Sequence, residues 1–302
     1  MNLLLTGAWA DAQAHIHELE TRGHAVAFLP QEKDPLPRDP EWVEGVVCNG
    51  LFLYHSIDEL PNLRFIQLTS AGLDRVPLEK IKARGIRLYN ARGVYSAPMA
   101  EFALAGVLAL CTRLPFFLDR QKARAWEKRR DLWELAGRRV TVLGCGSVGT
   151  ECARRFTALG CSVTGVDLVP REDPTFAAIL PLEALDGLLP ETDALILTLP
   201  LTPETRGLLD ARRLALLKEG AIIVNIARGP IVDETALIGA LEGGRLGGAV
   251  LDVFETEPLP ESSPLWTLEN VILTPHNSFV GNGNSARLSR LILENLRAEE
   301  GL

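Results

Sequence analysis

The chain has 302 residues, which is enough for two domains that each bury a substantial core. Its composition, with 47% hydrophobic and 23% charged residues, is typical of a globular protein. The net charge of −8 argues against nucleic acid or an anionic membrane surface as a partner. Five cysteines without a CxxC pair indicate reduced thiols and predict a cytoplasmic location. We expect neither a membrane span nor a signal peptide, since the apolar run at 102–111 is short and the N-terminus lacks a basic segment.

Strand-like and helix-like segments alternate along the chain, and this alternation predicts an α/β architecture with parallel sheets. In the first third of the chain, the expected strands are 2–6, 25–29, 43–47, 64–68 and 86–89. The expected helices are 11–21 and 78–83. These segments make up a complete small α/β unit.

A long apolar helix is expected from about Pro98 to Thr112, followed by residues 119–131, which are dense in arginine and lysine. That density is typical of a solvated helix face. Trp126 and Trp133 lie among these charges and suggest that one side is buried against a second subunit. We therefore expect a homodimer formed through residues 98–133. A final helix over 285–298 has its apolar residues at helical spacing and is expected to return to the first domain.

A glycine-rich loop marks the start of a second α/β unit. The apolar run after Arg138 leads into the loop Gly144-Cys-Gly-Ser-Val-Gly149 and then into a helix expected over 150–159. This order of strand, glycine loop and helix is the context that a dinucleotide fingerprint requires. Gly144 permits the tight turn, Gly146 lets the backbone approach a pyrophosphate, and Gly149 lets the helix pack closely.

The strand that follows the fingerprint ends in an acid, Asp167. A carboxylate at this position can accept a hydrogen bond from a ribose 2′-hydroxyl and would repel a 2′-phosphate. The fingerprint therefore predicts NAD rather than NADP as the cofactor. Arg171 lies nearby and could contact a phosphate, which leaves NADP open.

Three polar side chains follow three short apolar runs in the last third of the chain: Arg228, Glu257 and His276. If these runs are neighbouring parallel strands, the side chains emerge at the carboxyl edge, where open α/β sheets hold their ligands. Histidine suits proton transfer near neutral pH, a carboxylate can orient it, and arginine offers a planar fork to a carboxylate. From these residues alone, a structural salt bridge is as good an interpretation as a catalytic site. No histidine shows a metal-ligand spacing, so we expect no metal.

The order of these motifs resembles that of the D-isomer-specific 2-hydroxyacid dehydrogenases over roughly residues 65–277. The resemblance lies in the glycine loop, Asn225-Ile-Ala-Arg-Gly229, Leu251-Asp-Val-Phe-Glu-Thr-Glu-Pro258 and Thr274-Pro-His276. It implies an α/β fold with two doubly wound parallel-sheet domains and a cleft between them. The flavodoxin-like substrate domain would comprise 1–96 and 278–302, and the Rossmann NAD-binding domain 97–277.

The resemblance also implies an NAD-dependent enzyme that transfers a hydride between NAD(H) and a small 2-hydroxy acid or 2-keto acid. Arg228, Glu257 and His276 would be the catalytic residues, with His276 exchanging a proton with the substrate oxygen. Arg228 would bind the substrate together with the backbone of Ser70, Ala71 and Gly72. The implied cofactor-binding residues are Gly144, Gly146, Ser147, Val148, Gly149, Asp167, Leu199, Pro200, Thr205, Ile226, Ala227, Asp252 and His276.

Several alternatives stay open. An NAD(H)-sensing, corepressor-like binding protein on the same fold would keep the same three residues. Formate dehydrogenases pair the histidine with glutamine, so Glu257 argues against them, whereas a phosphite-type dehydrogenase would keep the glutamate. Phe52, Leu53 and Tyr54 could line an apolar pocket for the substrate, or they could simply pack the first domain. The sequence does not specify which 2-hydroxy acid is bound.

Overall fold

The structure is a computed structural model that describes residues 1–300, and it divides the chain into two α/β units. The first unit comprises Met1–Tyr95 together with the chain from Gly281, and the second comprises Ser96–Val280. The borders expected from the sequence lie after residues 96 and 277. Each unit contains one parallel sheet with helices, so the predicted doubly wound α/β class is confirmed.

The first unit contains five strands and two helices before the chain enters the second unit. They are β1 (Asn2–Thr6), α1 (Ala12–Thr21), β2 (Ala25–Leu29), β3 (Gly45–Cys48), β4 (Phe65–Leu68), α2 (Leu78–Ala83) and β5 (Arg87–Tyr89). All neighbouring strands are parallel, in the order β2-β1-β3-β4-β5. The chain reverses its direction across the sheet after β2, so a switch point lies between β1 and β3.

The second unit contains six helices and seven strands. They are α3 (Ser96–Cys111), α4 (Leu114–Lys122), β6 (Arg139–Leu143), α5 (Ser147–Ala158), β7 (Ser162–Val166), β8 (Ala178–Leu180), α6 (Leu185–Leu188), β9 (Ala194–Leu197), α7 (Ala211–Leu216), β10 (Ile222–Asn225), α8 (Glu234–Glu242), β11 (Gly248–Leu251) and β12 (Val271–Leu273). The strands are parallel, in the order β12-β11-β10-β9-β6-β7-β8. The switch point of this sheet lies between β6 and β9, directly beside the glycine loop.

The last helix, α9 (Asn284–Glu299), belongs to the first unit. Its buried residues Leu288, Ile292 and Leu296 share one apolar cluster with Leu3 of β1. The spacing of these residues is helical, and burial of a leucine or isoleucine side chain contributes about 1.5–3 kcal/mol. This packing fixes the C-terminal helix on the first sheet.

The arginine- and lysine-rich segment differs from the expectation. It is helical only to Lys122, so the prediction of a charged helix over 119–131 is wrong beyond that residue. Arg124 adopts φ 54°, in the left-handed region, and ends the helix. The chain then folds back so that the guanidinium of Arg129 lies 4.9 Å from the ring centroid of Phe116, in cation–π contact. Trp126, in the irregular part, is 96% exposed.

No single helix within residues 1–300 is long and apolar enough to cross a membrane. Helices α3 and α4 together have the length and composition of a span, but they meet at an angle of 69°. The buried apolar residues of α3 belong to the same core cluster as Val250 of β11. The closest approach is at Gly106, where a Cβ atom would lie 2.7 Å from both methyl carbons of Val250.

This contact predicts that Gly106→Ala destabilises the protein by about 1–3 kcal/mol, because the added methyl group overpacks the helix against β11. The matched control is Gly239→Ala in the exposed part of α8, where a Cβ atom meets nothing within 4 Å. Removing a helical glycine there stabilises by about 0.5–1 kcal/mol. Urea unfolding measures the change in the free energy of unfolding of each variant. If both substitutions changed it in the same direction, the packing argument would be contradicted.

Candidate active site

Three neighbouring strands of the second sheet end at the same edge. The register of β10, β11 and β12 aligns Asn225 with Leu251 and Leu251 with Leu273. The expectation that these runs are neighbouring parallel strands is therefore confirmed. Arg228, Glu257 and His276 come after these three strand ends, at the carboxyl edge that binds ligands in open α/β sheets.

His276 and Glu257 form a direct pair. The Nδ1 atom of His276 lies 2.9 Å from Glu257 Oε2. The other carboxylate oxygen, Oε1, accepts a hydrogen bond from the backbone N–H of Phe254 at 3.1 Å, which orients the carboxylate. Since Nδ1 is engaged by Glu257, Nε2 is the ring nitrogen that can transfer a proton to a ligand. The side chains of His276 and Glu257 are 43% and 37% exposed, so solvent and ligands can reach them.

The backbone of His276 has φ 51°, a left-handed conformation that is unusual for a residue other than glycine. The buried carboxylate of Asp252 stabilises this turn, since it accepts N–H bonds from Asn277 at 2.7 Å and from Ser278 at 2.9 Å. It also accepts a hydrogen bond from the Thr274 hydroxyl at 2.6 Å. A strained backbone of this kind costs about 1–3 kcal/mol and is concentrated at functional sites. Asp252 is thus a positioning residue for His276, and its implied contact with a nicotinamide stays a prediction.

Arg228 is placed by two rigid neighbours. Asn225, buried at the end of β10, donates from Nδ2 to the Arg228 carbonyl at 3.1 Å and accepts from the Ala227 N–H at 3.1 Å. The next residue, Gly229, is so close to Phe254 that a Cβ atom would lie 1.9 Å from its carbonyl carbon. Only glycine fits there, and the half-buried Arg228 side chain is thereby held at the sheet edge.

The structural roles of Asn225 and Thr274 were not anticipated from the sequence. Both residues carry a hydrogen-bonding side chain at the end of an apolar strand, two or three positions before a predicted catalytic residue. That position is the signal that could have identified them, because a polar side chain there can bind the backbone of the next turn.

The glycine loop has the geometry that a dinucleotide needs. Gly144 has φ 94°, and a Cβ atom on it would lie 2.6 Å from the backbone nitrogen of Leu199. A Cβ atom on Gly149 would lie 2.0 Å from the Gly144 carbonyl oxygen, so the helix packs tightly on the loop. At Gly146 a Cβ atom meets nothing within 4 Å, and α5 begins at the next residue, Ser147. The helix N-terminus therefore opens onto free space, as a pyrophosphate site requires.

The helix begins at Ser147 rather than at the expected Thr150, so Ser147, Val148 and Gly149 form its first turn. Their backbone N–H groups lie at the positive end of the helix dipole. This placement suits their implied role as cofactor-binding residues.

Asp167 is bound to the glycine loop. Its Oδ2 atom accepts the backbone N–H of Cys145 at 2.7 Å. Arg171 donates to the carbonyl of the same cysteine, and its Nη1 atom lies 3.9 Å from Asp167 Oδ2. Burial raises the pKa of the Cys145 thiol to about 12, so this side chain packs the loop as a neutral thiol. An acidic side chain, Asp167, and a positively charged one, Arg171, thus both lie beside the loop at the expected ribose position.

The remaining implied cofactor residues follow strand ends of the same sheet. Leu199 and Pro200 come after β9, and Ile226 and Ala227 come after β10, where both are buried. Thr205 is 3% exposed, and its hydroxyl donates to the Pro200 carbonyl at 2.7 Å. Thr205 therefore braces this loop, and direct contact with a cofactor stays a prediction.

The Ser70–Gly72 turn lies in the first unit, after β4. Its carbonyl oxygens are engaged: that of Ser70 accepts from Ala91 N–H at 2.9 Å, that of Ala71 from Asn90 at 2.8 Å, and that of Gly72 from the Ser70 hydroxyl at 3.0 Å. In the part of the chain that the structure describes, the three backbone N–H groups of this turn donate to no carbonyl. Such N–H groups suit the binding of an anion.

A surface pocket of about 690 Å³ lies at the opposite, amino edge of the second sheet, beside Trp133 and Arg138. Most of its charged side chains pair with one another: Asp193 accepts from Lys218 Nζ at 2.6 Å and lies 3.7 Å from Arg138 Nη1, and Arg139 pairs with Glu191. Arg228, Glu257 and His276 do not line it. Among residues 1–300, no group of three His, Cys, Asp or Glu side chains is arranged to hold a metal ion.

Comparisons with known proteins identify the family that the chain is similar to. Residues 104–278 match the family described as D-isomer specific 2-hydroxyacid dehydrogenase, NAD binding domain. The chain is 35% identical over 245 residues to a glyoxylate reductase of Korarchaeum cryptofilum, covering 79% of this chain and 73% of the relative. It is 34% identical over 278 residues to a glyoxylate/hydroxypyruvate reductase B of Yersinia pestis, covering 89% of this chain and 84% of the relative.

Two solved structures are similar over nearly the whole chain. A D-isomer specific 2-hydroxyacid dehydrogenase from Xanthobacter autotrophicus, in complex with NADPH and MES, has a TM-score of 0.81 and 33% identity and covers 99% of this chain and 95% of its own. A D-lactate dehydrogenase from Aquifex aeolicus, in complex with NAD and lactic acid, has a TM-score of 0.80 and 26% identity and covers 99% of this chain and 96% of its own.

The position of Asp167 predicts that Asp167→Ala lowers the preference for NADH over NADPH by about tenfold, since about 1.4 kcal/mol of repulsion of the 2′-phosphate is lost. Because the variant also loses the bond to Cys145, both affinities can fall, and the ratio of the two dissociation constants is the diagnostic quantity. Fluorescence titration measures both. Asp173→Ala is the control, a half-buried carboxylate further along the same loop. An unchanged ratio in Asp167→Ala would remove the basis for the NAD preference.

Proposed function

This chain belongs to the D-isomer specific 2-hydroxyacid dehydrogenases, NAD-dependent oxidoreductases of CH–OH groups, and we propose that it reduces short 2-keto acids to D-2-hydroxy acids. The observation that carries the proposal is the 2.9 Å pair of His276 and Glu257, at the sheet edge that also bears Arg228 and the glycine loop. The names of the relatives favour glyoxylate and hydroxypyruvate as substrates.

Different residues of the second unit would bind the cofactor, bind the substrate and transfer the proton. The hydride for the keto carbon would come from NADH held by this unit. Gly146, the first turn of α5 and Asp167 would hold the dinucleotide. Arg228 binds the substrate carboxylate through its planar fork, and its positive charge stabilises the negative charge that develops on the carbonyl oxygen. Protonated His276 delivers a proton from Nε2 to that oxygen, and Glu257 holds the ring through Nδ1.

In the oxidative direction the same groups act in reverse, and His276 accepts the hydroxyl proton. Within the first unit, the N–H groups of the Ser70–Gly72 turn suit a carboxylate as well. Contacts of either kind recognise the carboxylate that all 2-keto acids share. They leave the choice among these acids to residues that contact the substrate side chain.

The proposed activity is tested by following the loss of NADH absorbance with glyoxylate, hydroxypyruvate, pyruvate, phenylpyruvate and a branched 2-keto acid. We expect turnover with glyoxylate and hydroxypyruvate above that with the bulkier acids. Binding of NADH without turnover of any of these acids would overturn the proposal and favour the NAD(H)-sensing alternative.

The place of His276 in the proposed mechanism predicts that His276→Ala lowers kcat about 10²–10⁴-fold, the usual contribution of a general acid. The affinity for NADH should stay nearly unchanged, because the glycine loop and Asp167 are intact. Steady-state kinetics and NADH fluorescence measure the two quantities. His17→Ala, on the exposed face of α1, is the control. A kcat equal to that of the wild type would remove His276 from the mechanism.

We also propose a homodimer formed through residues 98–133. The support is a set of large apolar side chains that are exposed in this region: Leu114, Leu118 and Leu132 at 42–47%, and Trp126 at 96%. Exposed apolar groups concentrated in one segment mark interaction surfaces more often than isolated ones do. The partner that this surface would bind is a second copy of the chain.

The dimer predicts that Leu118→Asp raises the dimer dissociation constant at least about tenfold, because a charge is buried in an apolar contact. Leu159→Asp is the control, at an equally exposed leucine just after α5. Analytical ultracentrifugation over a concentration series measures both. A wild-type protein that stays monomeric at micromolar concentration would contradict the dimer.

A cytoplasmic location is the last part of the proposal. All five cysteines are unpaired and buried. Burial raises the pKa of Cys111 and of Cys152 to about 12, so both remain thiols. A chain of this kind needs no oxidising compartment to fold. Cell fractionation checks the location.

A further inference from the structure

Glu32 follows the end of β2, at the carboxyl edge of the first sheet. Its carboxylate reaches across β1 to the loop after β3. Oε1 accepts from the Thr6 hydroxyl at 2.8 Å and from the Asn49 N–H at 2.6 Å, and Oε2 accepts from the Gly50 N–H at 2.6 Å. This point is the switch point of the sheet, where open α/β sheets commonly bind a ligand. At this switch point the anion is the carboxylate of Glu32, a residue of the chain itself.

The carboxylate determines the position of a short helix. Gly50 gives its N–H to Glu32, and its carbonyl accepts the Leu53 N–H at 3.0 Å, which closes the 3₁₀ helix Leu51–Leu53. A Cβ atom on Gly50 would lie 3.4 Å from Glu32 Oε2, so the contact is already close. Leu51 is fully buried and anchors one side of the helix. The orientation of the helix thus depends on the bond between Gly50 and Glu32.

The helix presents apolar side chains beside the predicted carboxylate-binding turn. Cys48 of β3 pairs with Leu68 of β4, so the loops that follow these strands are neighbours at one edge. Phe52 packs on the core of the first unit, whereas Leu53 and Tyr54 are 60% and 61% exposed. The sequence left open whether these three side chains line a substrate pocket or pack the domain. Phe52 packs the domain, whereas Leu53 and Tyr54 are available to a ligand.

We propose that Glu32 is a positioning residue for substrate selection. By holding the Asn49 and Gly50 N–H groups it fixes the segment 49–54, and with it the space for the side chain of the 2-keto acid. The proposal rests on the proposed function, in which the Ser70–Gly72 turn binds the acid's carboxylate. Hydrogen bonds from N–H groups to a carboxylate are charge-assisted and about twice as strong as neutral ones. Exposed Leu53 and Tyr54 have little packing to hold them, so these bonds decide where they lie.

The test is Glu32→Gln, which keeps the shape of the side chain but removes its charge and places an NH₂ group against a backbone N–H. Glyoxylate is the internal reference, since it has no side chain for Leu53 or Tyr54 to contact. We expect the ratio of KM for phenylpyruvate to KM for glyoxylate to change by about tenfold, with kcat for glyoxylate within about threefold of the wild type. Hydrogen exchange of the Asn49 and Gly50 amides should become faster.

The matched control is Glu44→Gln. Glu44 is a half-buried carboxylate at the amino edge of the same sheet, and it accepts the backbone N–H of Asn2 at 2.7 Å. It therefore loses the same kind of bond, far from the 49–54 segment, and its KM ratio should stay at the wild-type value. Equal shifts in both variants would reveal general destabilisation and overturn the proposal. An unchanged ratio in active Glu32→Gln would overturn it as well.

Failure of the proposed function is distinguished from these outcomes before any variant is made. If the wild-type enzyme reduces none of the 2-keto acids, the proposed function itself is overturned. If the wild type is active, only the KM ratio of Glu32→Gln and the exchange rates of the two amides decide on the role of Glu32.

Discussion

The site is organised around the buried carboxylate of Asp252. A carboxylate with no exposed surface is stable only when hydrogen bonds replace the water it has lost. The Thr274 hydroxyl and the N–H groups of Asn277 and Ser278 provide them, and these groups flank His276 on both sides. These bonds hold the chain in a tight turn, in which His276 adopts a left-handed backbone conformation. The same turn brings the imidazole to Glu257.

Acidic side chains repeat this role elsewhere in the chain. Glu257 accepts the Phe254 N–H, Asp167 accepts the Cys145 N–H, and Glu32 accepts those of Asn49 and Gly50. In each case a carboxylate binds backbone N–H groups in a loop at the carboxyl edge of a parallel sheet. Loops have few packing contacts of their own, so such bonds give them a defined position. Part of the negative charge of this chain thus serves to shape its ligand-binding edges.

The sequence predicted the features that depend on local pattern. Apolar runs located β10, β11 and β12, and the glycine spacing located the loop between β6 and α5, because strand formation and tight turns are set by neighbouring residues. The segment after Lys122 was not predictable in this way. Its path depends on the contact of Arg129 with Phe116, which is formed only when the chain folds back.

The positioning residues were missed for a related reason. Asn225 and Thr274 lie close in sequence to the residues they serve, but whether a side chain at a strand end turns toward the backbone depends on its rotamer. Glu32 acts on residues 17 and 18 positions further along the chain, and no local pattern connects them. Catalytic residue types are visible in a sequence, whereas the bonds that orient them require coordinates.

In the proposed mechanism, the exposure of the His276 and Glu257 pair determines how the imidazole regains its proton between turnovers. Each reduction in this mechanism removes one proton from the imidazole, and that proton must be replaced before the next substrate can react. Because the two side chains are 43% and 37% exposed, water reaches the pair directly, and no chain of buried groups is needed to conduct the proton. In that mechanism the solvent outside the protein is the reservoir that reprotonates the imidazole.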